Sequence, residues 1–130
     1  MKLIKYLVVC LSLCASAFAS NQHTHPQAQA DTRGAKWAVG CGVEIINQSY
    51  MDVQVFGVFD DGSSLYPFNI YRFSPPHSIF LDYNGYCHSG IELDIDTFMG
   101  YHVFGGYVPR GSTVFILPGI MNQVKATIRN

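Results

Sequence analysis

From Lys36 onward the chain alternates apolar and polar residues almost without a break, and this period of two commits it to strands. Cys41, Val43 and Ile45 share one side of "CGVEIIN". In "MDVQVFGVF", Met51, Val53, Val55 and Phe59 share a side, with Asp52 and Gln54 opposite. Ile79, Leu81 and Tyr83 fall together in "HSIFLDY", and Ile91, Leu93 and Ile95 face away from Glu92, Asp94 and Asp96 in "IELDID". Successive side chains of a strand point to opposite faces, so each segment has one face to bury. "YHVFGGYV", "STVFIL" and "QVKATIR" continue the pattern, rich in β-branched and aromatic residues. No helical spacing of apolar residues is sustained anywhere in this region.

Turn signals separate the strands. "DDGSS" at 60–64 offers Gly62 for a positive φ, and "PRGS" at 109–112 has the composition of a tight turn. "SPPH" at 74–77 interrupts any ladder, because Pro75 and Pro76 donate no backbone hydrogen bond, and "LPG" at 117–119 ends a further strand. The spacing predicts an all-β fold, an antiparallel β-sandwich of about seven or eight short strands, filling one domain over residues 36–130.

The amino terminus reads differently. Lys2 and Lys5 precede an apolar run from Leu7 to Phe18, and small residues Ala17 and Ala19 follow the rule for signal-peptidase cleavage. The run is shorter than the roughly 20 residues a membrane span needs. Residues 1–19 are therefore expected to be a signal peptide, and the mature protein to be secreted or periplasmic with no transmembrane segment. Residues 20–35 are polar and aperiodic and are expected to form a flexible leader. His23 and His25 within it are candidate ligands for a transition metal.

Export changes the cysteine arithmetic. Cys10 and Cys14 leave with the signal peptide, and the mature chain keeps Cys41 and Cys87. An even count in an oxidising compartment predicts a disulfide between them. That takes the thiolate away from the adjacent Cys87–His88 pair, which otherwise has the look of a nucleophile and base. Loss of Lys2 and Lys5 leaves six basic residues against nine acidic ones, a mild balance with no basic patch, so no nucleic-acid partner is expected. No motif implies a cofactor.

Two groups of residues stand out. Glu92, Asp94 and Asp96 project from one face of a single strand, in steps of about 7 Å. They are the candidate metal ligands of the domain, with Ca²⁺ the natural ion for oxygen donors, if Asp60 or Asp61 approaches from another loop to close the site. The segment "LYPFNIYRF" and the loop "DYNGYCHSG" hold more large rings than one strand face can bury. Tyr66, Tyr71, Tyr83, Tyr86 and His88 are the candidate ligand-binding residues. The function expected is a non-enzymatic binding module recognising a protein or glycan surface. The alternatives are a structural subunit assembling through an exposed strand edge, and a hydrolase whose site no motif reveals.

Overall fold

The computed structural model describes residues 21–27, 40–119 and 124–130. The expected signal peptide, its cleavage point and residues 28–35 of the leader lie outside the described residues. The fold is all-β. Its strands are β1 (Gln22–His23), β2 (Gly42–Asn47), β3 (Val53–Phe59), β4 (Phe68–Ile70), β5 (His77–Phe80), β6 (Asp82–Tyr83), β7 (Tyr86–Cys87), β8 (Gly90–Thr97), β9 (His102–Pro109), β10 (Thr113–Pro118) and β11 (Val124–Arg129). Those of three or more residues match the expected strand count. The two-residue strands β1, β6 and β7 are too short for a period to show. Among the described residues no helix is long and apolar enough to cross a membrane.

Two larger sheets form, in the orders β1-β5-β2-β10-β11 and β4-β3-β8-β9, with β6 and β7 as a separate pair. The second sheet is antiparallel throughout. The first is mixed, since β1 runs parallel to β5 and β2 parallel to β10, which corrects the fully antiparallel expectation. Alternation assigns a residue to a face but says nothing of the direction of the neighbouring strand. Both sheets send alternate residues into one hydrophobic cluster: Val43, Ile45, Ile79, Val114 and Ile116 from the first, Val53, Val55, Ile70, Leu93 and Ile95 from the second. These are the positions that the period of two selects.

Cys41 and Cys87 are joined, with their Cα atoms 5.8 Å apart. The link ties the residue before β2 to the end of β7 across 46 residues of chain. Closing a loop of that length stabilises the fold by about 4 kcal/mol in the chain-entropy account.

The flexible-leader expectation is corrected at residues 21–27, which pack on the domain. Gln22 and His23 pair with Ser78 and Ile79 of β5. The His23 ring stacks on Phe68 at 3.4 Å, and its Nε2 lies 2.9 Å from Nδ1 of His77. The His25 side chain is fully buried, with its Nε2 on an Asp61 carboxylate oxygen at 2.9 Å. His25 Nδ1 accepts the backbone N–H of Gln27, so both its ring nitrogens are engaged. Polar composition hides this because imidazole stacks like an aromatic ring once its nitrogens are hydrogen-bonded.

Docking through buried imidazoles makes the contact sensitive to acid. Burial, and secondarily the neighbouring His77, lowers the His23 pKa from an ordinary 6.5 to about 4, and burial lowers that of His77. An undocked segment takes up protons as pH falls below about 6.5, which the docked one resists. The stabilisation is therefore whole above pH ~6.5 and is lost as pH falls towards ~4. Melting temperature should fall between those limits, and less steeply in a His23→Asn/His77→Asn double variant. Parallel pH profiles for the two proteins would contradict this docking.

Candidate functional site

One end of the molecule carries an apolar surface made by three loops. They are 48–52 between β2 and β3, 71–76 between β4 and β5, and 98–101 between β8 and β9. Register brings them together, because Val53 at the start of β3 pairs with both Ile70 and Thr97. The loops expose Tyr50, Tyr71, Phe73, Phe98, Met99 and Tyr101, the most open being Met99 at 72% and Tyr50 at 69%. Tyr50 meets Phe73 edge-on at 5.6 Å, and Tyr71 meets Phe98 edge-on at 6.2 Å.

A buried polar scaffold holds these loops. The Asn47 side chain donates to the carbonyls of Met51 and Ile70 and accepts from the backbone N–H and hydroxyl of Ser49. The Asn47 carbonyl accepts the Phe73 N–H at 3.2 Å. Asp52 joins the other two loops: its carboxylate accepts the Arg72 N–H at 2.8 Å, and its carbonyl accepts the Phe98 N–H at 3.2 Å. The third loop closes on Thr97, whose hydroxyl accepts the Tyr101 N–H. Phe73 has φ +56°, a left-handed conformation that costs a bulky residue roughly 1–3 kcal/mol. The surrounding hydrogen bonds impose it, and it turns the ring outward beside Tyr50.

The ring-rich patch anticipated from sequence is not brought together. Tyr71 belongs to the loop end just described, whereas Tyr86 and His88 lie near the opposite end of β3, where Phe59 pairs with Ile91. The length of β3 separates the two ends by about 20 Å. Tyr66 is exposed on a separate stretch, next to the Leu65 that bonds back to Gly57. Tyr83 and His88 are core residues, 3% and 6% exposed. They sit in a stack of four rings, with spacings of 3.9 Å from His25 to Tyr83, 3.6 Å from Tyr83 to His88 and 4.0 Å from His88 to Tyr86. His88 Nε2–H donates to the Tyr83 carbonyl at 3.1 Å. The Tyr83 hydroxyl is pushed up to about 12, chiefly by burial and then by the Asp61 and Asp60 carboxylates. Only Tyr86, at the outer end of the stack, is open to solvent.

The acidic strand face acquires a partner from β9. Asp94 and Asp96 each place Oδ1 3.1 Å from Nδ1 of His102. Glu92 stands opposite Tyr107 and outside this group. His102 was not singled out by sequence, and alternation alone does not reveal it, because a register shift between Ile95 and Asp96 is what sets it opposite Asp96.

No family model matches this chain, and no curated protein matches it. Among solved structures it is similar to an NMR structure of a protein from Eubacterium rectale, at 20% identity and a TM-score of 0.49. The match covers 68% of this chain and 87% of the other.

The two tyrosines of the ring stack separate core from surface. Tyr83→Ala should destabilise the domain by about 3–5 kcal/mol, as expected for a buried ring. Tyr86→Ala should cost less than about 1 kcal/mol. Urea unfolding of both variants gives the comparison, and equal costs would place Tyr86 in the core as well.

Proposed function

We propose that this chain is an exported, non-enzymatic binding module whose ligand face is the loop end, and whose ligand is a protein surface. The observation that carries the reading is the exposure of six large apolar side chains on loops that are themselves hydrogen-bonded into place. Contiguous apolar exposure of this kind marks interaction surfaces. Tyrosine, phenylalanine and methionine are the residues enriched at the centre of protein interfaces. Fixed loops lose less entropy on binding than mobile ones. The edge-on ring pairs present rims and gaps, which suit inserted side chains better than the flat face of a sugar. The Cys41–Cys87 disulfide supports an oxidising compartment and hence the expected export.

One feature favours a glycan instead. A shallow groove beside the platform joins Phe56 and Phe98 to Gln54, Asn69 and Asp96. Amide, carboxylate and ring together form the usual set for hydroxyl-rich ligands.

Single substitutions Tyr50→Ala and Phe98→Ala discriminate the readings. Both side chains are exposed, so melting temperature should stay within about a degree or two of the parent. Cross-linking of the tagged full chain in its source cells should trap a discrete protein, and each substitution should weaken that complex by about 1–3 kcal/mol. A partner retained by both variants, or a fold that melts far lower, would contradict the proposal. Binding to a glycan array that Asn69→Ala abolishes would favour the groove.

A further inference from the structure

Asp94, Asp96 and His102 bring two carboxylate oxygens and one imidazole nitrogen within 4.8 Å of one another. All three residues stand on paired strands rather than on loops. Two features of the backbone put the ring there. Regular pairing beyond Ile95 and Phe104 would set Val103 opposite Asp96, but the bulge sets His102 there instead. Bulges that re-aim one side chain recur beside functional sites. The second feature is Gly105. A Cβ at that position would lie 3.0 Å from Cε1 and 3.1 Å from Nε2 of His102, closer than side chains ordinarily approach. The ring therefore occupies space that any other residue at 105 would fill.

An exposed ion pair needs neither feature. It is worth little and forms in many rotamers. A groove also opens at the cluster, lined by Phe56, Val58, Leu65 and Pro67 with Asp94 and His102 on its wall. Two of the three donors thus border this concave surface, while Asp96 stands on the neighbouring groove with Phe56 and Phe98.

We propose that Asp94, Asp96 and His102 bind one divalent first-row transition ion of the Zn²⁺ class, with its remaining coordination positions turned towards the groove. The donor set decides the class. Imidazole nitrogen with carboxylate oxygen suits zinc and its neighbours. Calcium takes six to eight oxygen ligands, and three donors, one of them nitrogen, do not supply them. The ion would replace the repulsion between Asp94 and Asp96 with attraction to both. This inference is independent of the loop-end reading above.

The competing description is a protonated His102 bridging two carboxylates with no affinity for metal. Calorimetric titration of the chelator-treated full chain with Zn²⁺ at about pH 7.5 separates the two. The expected result is one Zn²⁺ per chain, with affinity reduced at least about tenfold in both His102→Ala and Asp96→Asn. His77→Ala should retain the binding, because the His23–His77 pair is elsewhere. Melting temperature should rise with Zn²⁺ in the parent and not in His102→Ala. Melts without metal check that the variants fold, and Asp96→Asn carries the test if His102→Ala does not. Absence of Zn²⁺ binding, binding unchanged in the two site variants, binding lost in His77→Ala, or equal affinity for Ca²⁺ would each overturn the proposal.

Discussion

Asn47 ends β2 with its side chain out of water, so its two N–H donors and its carbonyl oxygen must all find partners inside the protein. They find four, two carbonyls and both polar groups of Ser49. A buried amide left short of partners would cost about 1–3 kcal/mol for each orphaned group. That penalty makes the arrangement all-or-nothing. Ser49 and Met51 belong to the 48–52 loop and Ile70 ends β4, so one amide fixes where two connections leave the core. The backbone of the same residue fixes Phe73. Asp52, five residues on, extends the constraint to the third loop.

The apolar end owes its character to this scaffold. Six large side chains in the open are unfavourable unless something covers them, and mobile loops would fold them back onto one another or the core. Here the loops are held, and the rings meet edge-on while remaining exposed. Strain at Phe73 points the same way, since an unfavourable backbone angle persists only where the surroundings impose it. The opposite end is built on another logic. Its rings stack inward, Asp61 and Asp60 anchor the 60–64 turn to His25 and Ser89, and the disulfide closes it. One end is packed shut by the amino-terminal segment, and the other presents rings to solvent.

Much of the core was legible in the sequence because alternation is a direct image of a strand with one buried face. Val43, Ile45, Ile79, Leu81, Leu93 and Ile95 are all buried, as their positions in the period require. The same period groups Tyr83 with Ile79 and Leu81, and burial follows it. Ring density in the surrounding loop pointed to the surface and was the poorer guide for Tyr83 and His88. Two things were not legible. Docking of His23 and burial of His25 depend on partners 54 and 36 residues away, which local composition does not encode. The grouping of His102 with Asp94 and Asp96 depends on a one-residue bulge, and a slip of one residue reverses every face assignment beyond it. The loop platform lies between these cases. Tyr71 and Phe73 were visibly in excess of what one face could bury, but Tyr50 and Phe98 join them only through the register of β3.

Binding at the loop end requires a fixed surface, and amide hydrogen exchange tests that directly. The N–H groups of Ser49, Arg72, Phe73 and Phe98 have no partner in a ladder, yet each is bonded to the Asn47–Asp52 scaffold. They should exchange slowly, as amides in β3 and β8 do, and should lose protection together in Asn47→Ala. Exchange of these four at the rate of an unstructured chain, while β3 and β8 stay protected, would show mobile loops and contradict the platform.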